Sequence, residues 1–220
     1  MAKSRPITIS RAVAGIEKYG ILLVYPIDNR KEPASLWSAF YTDEMRWEWN
    51  EDSDDRVSHL WHIRTELSTS REVVYVKWFR GRATFFSKEI FTALLAYFET
   101  AKLDTHALKT ESQLILEVLD MDSPQSTKQI KLATDLRGKL FERTYEKSMK
   151  ILFEKLWIVG FGEVDDGAFP SLAVGSSKAL FEDLWENSQK ISKTQAHGIL
   201  IEKLGESSLF FKQIIKIGAK

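Results

Sequence analysis

The chain has no cysteine, so it has no disulfide framework, no thiolate nucleophile and no cysteine-held zinc. It has no excess of charge either: 31 lysines and arginines face 31 aspartates and glutamates. A protein neutral overall is not steered onto nucleic acid by its whole field, and any such binding must come from local patches. No run approaches the roughly 18 apolar residues of a membrane span. The opening residues, Met1-Ala2-Lys3-Ser4-Arg5-Pro6, lead into a helix-like stretch with Arg11, Glu17 and Lys18 and lack a signal-peptide core. The expectation is a cytoplasmic protein without membrane contact. His59 and His62 sit three apart on a predicted helix, but the sequence supplies no further ligand at a spacing that would complete a metal site. Nor is there a P-loop or a G-x-S-x-G, and Gly160-Phe161-Gly162 lacks the third glycine and the helix of a dinucleotide fingerprint. Neither a metal nor a nucleotide or other cofactor is expected.

Aromatic side chains, by contrast, are plentiful. Thirteen Phe, seven Trp and six Tyr in 220 residues point to a packed globular protein, not a disordered one. Within it, residues 124–174 spell out one supersecondary unit. Ser126-Thr127-Lys128-Gln129 is a capping box that starts a short helix. Asp135-Leu136-Arg137-Gly138 interrupts it, and a stronger helix runs over about 139–156. Residues 157–164 are β-rich, Asp165-Asp166-Gly167 is a turn signal, and 168–174 return as the partner strand. With the helix begun by Thr110-Glu111-Ser112-Gln113, read as another capping box, the order is that of a winged helix-turn-helix.

The second helix of that unit has two unlike faces. Phe141, Tyr145, Met149, Leu152 and Leu156 form one apolar stripe, which belongs in a core. Lys139, Arg143, Lys147 and Lys150 recur on the same rule but point roughly 150° away, given about 100° per residue. Such a basic face suits phosphate contacts, because the second helix of a helix-turn-helix enters the major groove. It also suits mere solubility, since Glu146 and Glu154 stand as i,i+4 partners within it.

Upstream, residues 8–19 read as a helix, 21–25 as a buried strand, 35–41 as a short helix, 45–49 as an extended piece, and 54–67 as a helix begun by the acids of 51–55. Residues 73–86 alternate around Arg80-Gly81-Arg82 and read as a β-hairpin. Lys77, Arg80 and Arg82 lie among Trp78, Phe79, Phe85 and Phe86, which fits either cations with base-stacking rings or cross-strand core pairs under a soluble tip. Ser87 caps a helix to about 102, with Phe86 and Phe91 placed as a staple. Past the wing, 176–187 read as one helix, Ser192-Lys193-Thr194-Gln195 caps the next, and 208–217 form the last. The whole is mainly α with small β-hairpins, an α+β chain in three parts: an N-terminal region 1–102 with the hairpin, a winged-helix domain 103–187 and a helical extension 188–220.

Three segments carry a family resemblance. They are Tyr25-Pro26-Ile27 with Glu32-Pro33-Ala34-Ser35-Leu36-Trp37; Val74-Tyr75-Val76-Lys77-Trp78-Phe79-Arg80-Gly81-Arg82 running into Phe86-Ser87; and Phe141-Glu142-Arg143 leading to Trp157-Ile158-Val159-Gly160-Phe161-Gly162. In order and spacing the chain resembles the small AlkZ-related proteins over most of residues 20–185. That family is similar to the winged-helix DNA glycosylases of the AlkZ/YcaQ type, which act on alkylated and crosslinked DNA. The resemblance implies a winged-helix architecture and duplex DNA as partner. It does not bring the catalysis with it. Those glycosylases carry two glutamines, or a glutamine and an acid, one apolar residue apart. Here Gln113, Gln125, Gln129, Gln189, Gln195 and Gln213 are followed two places later by Ile115, Thr127, Lys131, Ile191, His197 and Ile215. The reading therefore leans toward a DNA-binding protein without glycosylase activity. The alternatives are a glycosylase using another carboxylate, with Asp28 and Glu32 as candidates and Trp37 and Trp61 lining the base pocket, and a winged helix that docks proteins.

Overall fold

The computed structural model describes residues 7–46, 55–165 and 170–219. Trp47 and Trp49, the acids from Glu51 to Asp54 and the Asp166-Gly167 turn lie outside them. Local rules account for much of the secondary structure. Helix α1 (Ile9–Tyr19) is capped by the Thr8 hydroxyl, which accepts from the Arg11 amide, and stops at Gly20 with φ of 76°. After β1 (Ile21–Leu23), Ser35 and Ser38 make the reciprocal capping bonds of α2 (Leu36–Phe40). Helix α3 (Asp55–Thr69) follows, then the hairpin of β2 (Val74–Lys77) and β3 (Ala83–Phe86), whose turn holds Arg80 in the left-handed region at φ 53°. Ser87 caps α4 (Lys88–Tyr97), and the Phe86 and Phe91 rings meet at 6.2 Å as the staple requires.

Helix α5 (Thr110–Met121), the two-residue β4 (Gln125–Ser126), α6 (Thr127–Ala133) and α7 (Lys139–Glu154) come next. The Ser126–Gln129 box forms in both directions. The Thr110–Gln113 box does not. Lys109 occupies the cap position without a side-chain bond, and the Gln113 amide is spent on the carbonyls of His106 and Leu108, in the turn that precedes the helix. Strands β5 (Ile158–Val164) and β6 (Ser171–Ser176) form a hairpin and lead into α8 (Ser177–Leu180) and α9 (Glu182–Gln189). The single helix expected over 176–187 is thus broken at Phe181, where φ is −133° and the ring is buried between Phe91 and Phe161. Helices α10 (Lys193–Leu204) and α11 (Leu209–Gly218) close the chain, capped by Ser192 and Ser208.

The strands form one antiparallel sheet in the order β1-β3-β2-β5-β6-β4, and more than half the chain is helical, so the fold is mixed α and β. The early and late hairpins join where Tyr75 pairs with Gly160, and the Tyr75 ring lies so close that a Cβ on residue 160 would sit 2.4 Å from Cδ1. Alternation along the strands splits the core in two. Leu22, Val24, Tyr75 and Phe85 face α1, α2 and α3. Ile21, Leu23, Val74, Val76 and Phe86 face the larger helical layer built by α4, α5, α7, α9, α10 and α11. Among the described residues no helix is long and apolar enough to cross a membrane.

Candidate nucleic-acid interface

Helix α7 begins after Gly138, whose φ of 84° is the left-handed turn that separates it from α6. Its apolar stripe is buried at Tyr145, Met149 and Leu152, while Phe141 is 39 % exposed. Lys139, Arg143, Lys147 and Lys150 all lie on the outer face, exposed. Lys150 and Glu154 approach at 4.0 Å as the i,i+4 pair the spacing indicates.

Two hollows flank that face. The smaller, about 360 Å³, lies against α5 and takes in Lys109, Glu111 and Lys147. The larger, about 960 Å³, lies between α7, the β2–β3 turn and α11. Its lining includes Lys77, Arg80, Lys150, Lys212 and Lys216 against Glu146 and Glu154, an excess of three positive charges on a chain that is neutral overall. Its floor is apolar, with Trp78, Phe79, Tyr145, Met149 and Phe153. Buried contacts fix the walls: the Trp78 indole donates to the Glu154 carbonyl at 3.2 Å, and Phe79 meets Phe210 of α11 edge-on at 5.3 Å. Lys155 reaches the Ile217 carbonyl at 2.9 Å and ties the end of α7 to the end of α11.

Among the described residues, Lys77, Arg80, Lys212 and Lys216 form no ion pair. Partial desolvation lowers the proton affinity of the Lys77 amine, and the Arg64 guanidinium lowers it further. Burial pushes the Tyr145 phenol up to about 12, and its buried hydroxyl has no hydrogen-bond partner among the described residues. Lys131 is occupied elsewhere, paired with Glu142 at 2.7 Å and lying over the Tyr145 ring.

The structure therefore brings Lys77 and Arg80 of the hairpin to one cleft with Lys150 of α7, far along the sequence. It leaves Arg82 exposed on the hairpin, and Lys139 and Arg143 exposed along the first half of α7, outside that cleft. Lys212 and Lys216 were missed, although their i,i+4 spacing opposite Phe210, Phe211, Ile214 and Ile217 is an amphipathic signal. The hairpin rings are core: Trp78, Phe79, Phe85 and Phe86 are each at most 2 % exposed, which removes them as a base-stacking surface. Asp28 and Glu32 are exposed in the loop before α2 and do not line the cleft. Trp37 is buried, its indole donating to the Asp43 carbonyl at 2.8 Å. Trp61 is 45 % exposed on α3, beneath the Arg64 guanidinium at 4.0 Å. The Nε2 of His59 bonds the Ile7 carbonyl at 2.6 Å.

The sequence matches the AlkZ-related family over residues 7–214, nearly its whole length. The chain belongs to that family. No curated protein and no solved structure matches it. The match takes in the β2–β3 hairpin, α7 and the first part of α11, so the residues lining the cleft lie inside the family's span except Lys216.

Proposed function

We propose that this AlkZ-related protein binds duplex DNA through the large cleft and the adjoining face of α7. The observation that carries the reading is the convergence of five cations from three separate elements on one hollow, four of them without an ion-pair partner among the described residues. Unpaired cations brought together on rigid elements are what neutralising a phosphate backbone requires. Two further observations support it. The chain order α5, β4, α6, α7, β5, β6, with β4 paired to β6, fits the winged-helix reading, in which α7 is the helix presented to the groove. Family membership associates the chain with DNA glycosylases of the AlkZ type, though the glutamine pair is missing and the action proposed is binding, not base excision.

The test is anisotropy of a labelled duplex across a salt series. Each phosphate neutralised contributes about 0.9 to the slope of log K against log salt, so the cleft alone implies a slope of about −4 to −5. Lys212→Ala with Lys216→Ala is expected to flatten it by about 2. No binding at low salt, or a wild-type slope in the double variant, refutes the reading. A protein-docking role is the second reading, favoured by one observation: Leu132 and Leu140, at the α6–α7 turn, are 59 % and 84 % exposed. Leu140→Ser leaving the salt slope intact while abolishing association with a protein would select it.

A further inference from the structure

Single exposed leucines are ordinary, but the surroundings of Leu140 give it a use. It stands in the first turn of α7 and is 84 % exposed, the highest value for a large hydrophobic side chain among the described residues. At about 100° per residue, Leu140, Arg143 and Lys147 form one row along the helix, opposite the buried Tyr145, Met149 and Leu152. All three members of the row are exposed, so the fold itself does not cover the leucine. Its neighbours Lys139, Arg143 and Lys147 form no ion pair among the described residues. Charge complementarity therefore selects the occupant of this face. An apolar partner would bury these cations unpaired, whereas a phosphate backbone on either side of the leucine neutralises them.

Position along the helix adds a second constraint. In a helix-turn-helix the first residues of the second helix reach base edges in the major groove. Leu140 and Lys150 are ten residues apart, about 15 Å at about 1.5 Å per residue, against a major groove about 12 Å wide. With Lys150 on a phosphate beside the cleft, Leu140 comes over the bases. The apolar group that the major groove presents is the C5-methyl of thymine, and 5-methylcytosine carries a methyl at the same ring position.

We propose that Leu140 packs on the C5-methyl of a pyrimidine in the major groove, so that the protein prefers duplexes carrying thymine or 5-methylcytosine; the inference rests on the DNA-binding reading above. The cations give affinity for any sequence, and the leucine supplies the discrimination. The contact is apolar burial alone, with no proton moved and no counterion released. Taking one methyl out of water changes affinity by about fourfold, a modest preference.

The experiment uses the full chain and one mixed-sequence duplex in three forms: with thymine, with uracil in place of every thymine, and with uracil plus 5-methylcytosine in place of every cytosine. Uracil differs from thymine only by the methyl and keeps the same hydrogen-bonding edge. Fluorescence anisotropy across a salt series gives the affinities. The uracil duplex is expected to bind about fourfold more weakly than the thymine duplex, and 5-methylcytosine to recover the loss. The thymine-to-uracil ratio should stay constant with salt, since a methyl contact releases no counterion. Leu140→Ala changes an exposed side chain to the residue that most favours helix. It is expected to bind all three duplexes alike, with the affinity that the unaltered protein shows for the uracil form. Equal affinity of the unaltered protein for the thymine and uracil duplexes overturns the inference, leaves the DNA reading standing and returns Leu140 to the protein-docking reading. A difference that persists in Leu140→Ala, or a loss that 5-methylcytosine does not recover, also overturns it, because the cause is then another side chain or the shape of the duplex. Failure to bind any of the three at low salt overturns the DNA reading, and the inference with it.

Discussion

Glu163→Gln is expected to destabilise the protein far more than an ordinary polar substitution. The bulge between Gly160 and Glu163, with Gly162 at φ 76°, turns the Glu163 carboxylate onto the Arg64 guanidinium of α3. The two side chains are 14 % and 12 % exposed, and the same guanidinium stacks on Trp61. Arg64 Nε has no partner of its own, so the carboxylate is the group that compensates the buried charge. Removing one member of a fully buried pair costs about 3–5 kcal/mol, because the other charge stays desolvated. The residual exposure places this pair at the lower end, about 3 kcal/mol. At about 2–4 °C per kcal/mol for a chain of this size, the melting temperature falls by about 6–12 °C. Thermal and urea unfolding followed by far-ultraviolet circular dichroism measure it. High salt is expected to change the difference little, since a buried pair is weakly screened. Replacing both members, Arg64→Met with Glu163→Leu, is expected to recover much of the loss. A drop under about 2 °C in the single variant, or a double variant no better than the single, refutes the assignment of this pair as the tie between α3 and β5.

What could be read in the sequence follows the range of the interactions that decide it. The Ser126–Gln129 and Ser192–Gln195 boxes were legible because four consecutive residues contain the whole cause. The Thr110–Gln113 box has the same letters and fails, because two carbonyls of the preceding turn compete for the Gln113 amide. Residues 176–187 carry a helical pattern throughout, yet Phe91 and Phe161 draw the Phe181 ring inward and the backbone breaks there. The basic face of α7 was visible as a period. The cleft beside it was not, since it exists only because Phe79 meets Phe210, 131 positions along the chain. Periodicity also cannot say whether a hairpin aromatic points inward or outward when both sides of the sheet are covered, as they are here by α1–α3 on one side and the larger helical layer on the other.

Two further perturbations probe the packing around the sheet. Gly160→Ala is expected to cost about 1–3 kcal/mol by overpacking, since its Cβ falls 2.4 and 2.7 Å from two carbons of the Tyr75 ring; Tyr75→Leu in the same chain should relieve it, and an unchanged melting temperature in the single variant refutes the contact. Alkaline titration tests the phenols. Burial pushes both Tyr25 and Tyr145 up to about 12, and Tyr75 upward as well. Unfolded tyrosine ionises near about pH 10. Below that pH the folded and unfolded chains hold the same phenolic protons, and this contribution to stability is complete. Between about 10 and 12 the unfolded chain releases protons that these phenols keep, so stability falls as pH rises through that window. Absorbance at 295 nm, read while circular dichroism confirms the native fold, should therefore show a late step. Tyr145→Phe should shrink that step and leave any earlier one unchanged. A native protein whose tyrosines all titrate together near 10 would mean that the Tyr145 ring, and with it the floor of the cleft, is open to water.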